Sequence, residues 1–74
     1  MPQDLEEAMR LYRLAADSGF ALAQYNLGCC YRDGTGVEQD FAEAARLFEL
    51  AAAQDDRDAQ VALGQLYVNG KGVP

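Results

Sequence analysis

Shifted by 36 positions, the chain falls onto itself. Gln3-Asp4 meets Gln39-Asp40, Glu7-Ala8 meets Glu43-Ala44, Arg10-Leu11 meets Arg46-Leu47, and Leu14-Ala15-Ala16 meets Leu50-Ala51-Ala52. Further along, Ala23-Gln24 meets Ala59-Gln60 and Leu27-Gly28 meets Leu63-Gly64, while Tyr31, Gly34, Gly36 and Val37 meet Tyr67, Gly70, Gly72 and Val73. With residues 1–38 laid on 37–74, that makes 17 identities in 38 positions. Conservative pairs such as Leu5/Phe41 and Tyr12/Phe48 add to them. A unit that recurs at a period of this length is one supersecondary element, which buries its apolar face only against copies of itself. The period therefore constrains the fold more than any single residue does.

Within each copy the apolar spacing is helical. Leu5, Ala8, Leu11, Tyr12 and Ala15 follow a three-and-four rhythm, as do Phe41, Ala44, Leu47, Phe48 and Ala51. Asp4 with Glu7, and Asp40 with Glu43, have the spacing of an N-cap residue and its capping-box partner. The first helix is expected to stop near Ser18-Gly19, with Gly19 closing it. The copy has Asp55-Asp56 at that place, so a different turn is expected there. A second helix is expected over about 21–32 and again over about 57–68, burying Ala23, Leu27, Cys30 and Tyr31, then Ala59, Leu63, Leu66 and Tyr67. Gly28 and Gly64 fall mid-helix, where glycine costs about 1 kcal/mol against alanine. Its recurrence there predicts close approach of a neighbouring helix. The Gly34-Thr35-Gly36-Val37 and Gly70-Lys71-Gly72-Val73 segments then break the helix. The expected fold is all-α: two tandem 36-residue repeats, four helices, stacked as αα-hairpins into a solenoid.

Composition narrows the function. Twelve acidic residues against six basic ones give a net charge of −6, and the six cations are scattered, which disfavours nucleic acid. Many of the acids lie at expected helix starts, where they complement the positive helix end. No apolar run approaches a membrane span. The opening MPQDLEEAMR lacks the basic and apolar regions of a signal peptide, and nothing in the chain fixes a compartment. Cys29 and Cys30 are adjacent, so a disulfide between them is not expected. With no histidine and one isolated cysteine pair, no metal site or cofactor is expected.

The segments Ala23-Gln24-Tyr25-Asn26-Leu27-Gly28, Tyr31, Gly34-Thr35-Gly36-Val37 and Asp40 through Ala52 resemble the Sel-one-like repeat (SLR) family, a relative of the tetratricopeptide repeat. The resemblance covers nearly the whole chain in both copies. It implies a right-handed αα superhelix with a concave face, used as an adaptor or scaffold in protein complexes, and it names no partner. On this reading residues 1–74 are one segment of a longer array, with copies at 3–38 and 39–74. No polar capping helix is evident. The outer faces of the first and last helices are therefore expected to be apolar and exposed, inviting head-to-tail self-association.

In related solenoids the second helices line the inner face. If Leu27 and Gly28 face the partner helix, the open side carries Leu22, Tyr25, Cys29, Arg32 and Asp33, and one repeat on Asp58, Val61, Gln65, Val68 and Asn69. A stripe of this chemistry suits an extended peptide or a helix. Cys29 is expected to be exposed and Cys30 buried. The glycine loops lack the spacing of a phosphate-binding loop and are read as turns needing positive φ. Tyr12, Tyr31, Phe48 and Tyr67 recur with the period and are read as packing between hairpins. Glu6-Glu7 and Asp55-Asp56 are read as solvated, and Ser18 has no base beside it, so no catalytic constellation is expected. The leading expectation is a module binding a peptide or protein. A purely structural spacer, and a non-catalytic accessory part of a larger enzyme, are the alternatives.

Overall fold

The computed structural model describes residues 2–71. Helices α1 (Pro2–Asp17), α2 (Ala21–Asp33), α3 (Phe41–Ala52) and α4 (Arg57–Asn69) follow one another, and there is no strand among the described residues. Each helix packs on the next, with the most extensive packing between α2 and α3, across the repeat boundary. The 36-residue period thus becomes two helical hairpins in contact.

The ends of the helices show how local chemistry sets the boundaries. At α3 the Asp40 carboxylate accepts the Glu43 N–H at 3.1 Å, as the capping spacing predicts. The matching expectation at Asp4 rests on a side chain outside the described ones; the backbone sets Asp4 within the first turn of α1, which begins at Pro2. Proline fits an opening turn, where its missing N–H is no loss. At α4 the Asp56 side chain accepts the Ala59 N–H at 2.9 Å, whereas its counterpart at α2, Phe20, makes no side-chain cap.

The turn at Asp55-Asp56 is the same turn as at Gly19, against expectation. Gly19 has φ +94, with its N–H donating to Ala16 O at 3.0 Å and the Phe20 N–H to Ala15 O at 3.2 Å. Asp55 has φ +65, with its N–H donating to Ala52 O at 3.0 Å and the Asp56 N–H to Ala51 O at 3.3 Å. Both are Schellman closures. Aspartate enters the left-handed region at a cost that its short polar side chain reduces. Asp56 then supplies the cap that Phe20 does not.

Two clusters form the core. Met9, Ala16, Ala23, Leu27 and Leu47 make the first, with Val37 from the loop packed on it. Ala44, Ala45, Phe48, Ala51, Ala59, Ala62 and Leu66 make the second. Most of its members are alanines, so helices approach closely and Phe48 supplies most of the bulk. A Cβ built on Gly28 would lie 2.7 Å from Cε1 of Phe48, which is the close approach the mid-helix glycine predicted. Gly64 has nothing within 4 Å of the same point. The loop is tied back to α2 by Asp40 N–H donating to Tyr31 O and Gln39 Nε2 donating to Arg32 O, both at 2.8 Å.

Several positions expected in the core are not there. Tyr12 and Tyr67 are exposed, Cys30, Tyr31 and Leu63 are half-buried, and of the four recurring aromatics Phe48 alone is fully buried. The reason is spatial. Leu47 and Phe48 have a preceding hairpin to pack against, while among the described residues nothing covers the same face of α1. The exposure expected of the outer faces is present at Leu5, Leu11 and Tyr12 and at Val61, Tyr67 and Val68.

Candidate functional site

Helical spacing sets Leu22, Tyr25, Cys29, Arg32 and Asp33 along α2, and Asp58, Val61, Gln65, Val68 and Asn69 along α4. The two halves differ in exposure. All five α4 residues are exposed. On α2, Leu22 and Asp33 are exposed, whereas Tyr25, Cys29 and Arg32 are half-buried. Tyr25 and Cys29 pack against the Phe48 cluster, and the Tyr25 and Phe48 rings lie 5.8 Å apart at 39°. Cys29 is therefore not the freely exposed thiol its position on the helix implied. Cys30 packs against the Met9, Leu27 and Leu47 cluster, and burial raises its thiol above its usual range, with the nearby Cys29 and Asp33 adding to it.

Arg32 and Asp33 are the residues of this stripe that hydrogen bonds join among the described residues. Arg32 forks onto Asp33, Nε to Oδ1 at 2.9 Å and Nη2 to Oδ2 at 3.1 Å. That pairing lowers the Asp33 carboxyl below its ordinary range. Cys29, foremost, raises the Tyr25 phenol; Asp58 on α4 pushes the same way and Arg32 opposes them. Among the described residues, no hydrogen bond or ion pair ties Leu22, Tyr25, Cys29, Asp58, Val61, Gln65, Val68 or Asn69 to the Arg32–Asp33 pair. Among the described residues, no cluster of three or more His, Cys, Asp or Glu could hold a metal ion.

Two features were not singled out from the sequence. Phe20 is exposed at the N-cap of α2. The available signal was a phenylalanine where a helix start usually carries a polar residue. Gln24 is buried, donates from Nε2 to Ala16 O at 3.2 Å, and accepts from Gln54 Nε2 at 3.0 Å. Gln60 repeats the first bond, to Ala52 O at 3.3 Å. The repeated glutamine thus fastens each second helix to the end of the first, and its identity in both copies was the signal.

A model of the Sel1 repeat matches the chain at residues 1–20, 21–56 and 57–74. The chain belongs to the Sel1 repeat family. The central match spans a full period and holds α2, the loop and α3, so the Sel1 unit as matched contains the Gly28–Phe48 contact. Two solved structures are similar. A Sel1 repeat protein from Oxalobacter formigenes superposes with a TM-score of 0.88 at 41% identity, over 92% of this chain and 28% of that one. A protective antigen of uropathogenic Escherichia coli strains, displaying an SLR fold, superposes with a TM-score of 0.89 at 41% identity, over 92% of this chain and 15% of that one. The chain thus spans less than a third of either relative's length. No curated protein matches it. Sel1 repeats are in general protein-interaction repeats.

Proposed function

We propose that this Sel1 chain is a non-catalytic scaffold that holds a peptide or protein partner on the face of α2 and α4 carrying Leu22, Tyr25, Arg32, Asp58, Val61 and Val68. The observation that carries the reading is the exposure of three large aliphatic side chains, Leu22, Val61 and Val68, on the helices that also bear the Arg32–Asp33 pair and Asp58. Apolar contacts give such a surface affinity, and the polar groups beside them fix orientation. An extended or helical segment suits it, because the side chains recur along two helices rather than converge on a point.

The test uses this chain as bait in an extract of its own cells. Tyr25 is a poor first target, since its ring packs beside Phe48 and its loss would loosen the core. Leu22→Glu and Val61→Glu act on exposed side chains, Arg32→Glu reverses the charge of a half-buried one, and Leu50→Glu, at an exposed leucine of α3 outside the stripe, serves as control. The expected result is that proteins captured by wild type and by the Leu50 variant are lost with the stripe variants. Equal capture by all four variants would refute this surface.

A further inference from the structure

Leu22 and Asp58 are counterparts one period apart, and their place on the second helix is open with a hairpin on either side. Leu22 is 66% exposed with the second hairpin following it, and Asp58 is exposed with the first hairpin preceding it. The two copies fill that place differently, with an aliphatic side chain on α2 and a carboxylate on α4. Packing brings the two helix starts together. Ala21 and Tyr25, on either side of Leu22 along α2, pack on the cluster that holds Ala59 and Ala62 of α4. The turn that leads into α4 lies beside the first turn of α2, where Gln54 Nε2 donates to Gln24 Oε1 at 3.0 Å. That turn continues through exposed Asp55 to Asp56, and Asp58 follows in the first turn of α4.

The charge beside Leu22 has one sign. Residues 55–58 hold three aspartates and one arginine. Asp56 is engaged at the Ala59 N–H, whereas among the described residues neither Asp55 nor Asp58 is in an ion pair. Arg32 is forked onto Asp33 and brings no net charge. The uncapped start of α2 contributes only about half a positive charge, less than the aspartates supply. We infer that the partner segment sets a lysine or arginine beside an aliphatic or aromatic side chain, the apolar group seated on Leu22 and the cation facing Asp55 and Asp58. Charge complementarity selects this occupant. A segment bearing carboxylates meets like charge there, and a wholly apolar one strips water from Asp58 without replacing it. Apolar contact gives affinity, and the cation gives orientation and speed of encounter, so binding weakens as salt is added. The inference rests on the proposed α2 and α4 surface and names the chemistry of what that surface holds.

Fluorescence anisotropy with three short labelled peptides provides the test: one of lysine, serine and leucine, one with glutamate in place of lysine, and one with the leucines replaced by serine. The first is expected to bind the chain, and the other two at least ~10-fold more weakly, the loss of about one good charged or apolar contact. Leu22→Ser is expected to weaken the first peptide ~10-fold, and Asp55→Asn with Asp58→Asn to do the same and to flatten the salt dependence. Asparagine suits the left-handed backbone at position 55, and the Asp56 cap is untouched, so helicity by circular dichroism stays that of wild type. Glu49→Gln, at an exposed carboxylate of α3, is expected to change nothing. Equal binding of the three peptides, binding of none, or a Glu49 variant as weak as the aspartate variant would each overturn the inference; the last would mean diffuse attraction to an acidic chain. Should the glutamate peptide bind best and still be weakened by Leu22→Ser, the surface stands and the basic partner falls. Failure of the surface itself is read separately, from equal capture of extract proteins by the stripe variants.

Discussion

Phe48→Ala is expected to leave the chain largely unfolded at 25 °C. The ring is fully buried among Ala44, Ala45, Ala51, Ala59, Ala62 and Leu66, and it also packs on Gly28 and Tyr25. Alanines cannot move in to fill the space, so the loss is near the upper part of the range for phenylalanine truncation, about 4 kcal/mol. A core of this size rarely supplies a net stability above about 3–5 kcal/mol. The mutation therefore removes most of it, and far-UV circular dichroism should show a large loss of helical signal with no cooperative melt. Tyr12→Ala alters the matching ring of the other copy, which is partly in water, and is expected to cost about 1 kcal/mol. Similar losses from the two truncations would mean that the repeat boundary is not where the stability resides.

One change made at two matching glycines should give opposite results. At Gly64 a new methyl meets nothing within 4 Å, so Gly64→Ala keeps the whole helix-propensity gain, about 1 kcal/mol. At Gly28 the same methyl falls 2.7 and 2.8 Å from the edge of a ring with no room to retreat. Overpacking of this kind costs about 1–3 kcal/mol, which exceeds the propensity gain at the middle of its range and leaves a net loss of about 1 kcal/mol. In a domain of this length each kcal/mol moves the midpoint by about 4–8 °C. Thermal melts at low protein concentration should show Gly64→Ala rising and Gly28→Ala falling by about that much. Shifts of the same sign would contradict the packing described for Phe48.

The repeat made most of the architecture legible. Identities at a fixed shift are independent of any propensity scale, and they located two hairpins, the Asp40 cap, the left-handed glycines that end α2 and α4, and the tight approach at Gly28. Periodicity shows which residues share a side of a helix. It does not show whether anything stands opposite that side. Leu11 and Leu47, or Gly28 and Gly64, are indistinguishable as letters and differ only in their neighbours. The surface of α2 and α4 was partly legible for the same reason. Leu22, Val61 and Val68 are exposed as the stripe required, while Tyr25 and Cys29 turn toward the next hairpin, because Phe48 and its alanines lie within reach of that edge of α2. The Asp55 turn was misjudged on residue type alone; the backbone repeated where the glycine did not.

Amide hydrogen exchange tests most directly whether contact across the repeat boundary holds the chain together, because it reads local opening residue by residue. The slowest exchange is predicted in the facing parts of α2 and α3, around residues 27–28 and 47–51, with faster exchange in the first turns of α1 and the last turns of α4. Protection that peaks in α1 or α4, or that divides into two hairpins opening independently at residues 34–40, would contradict the account.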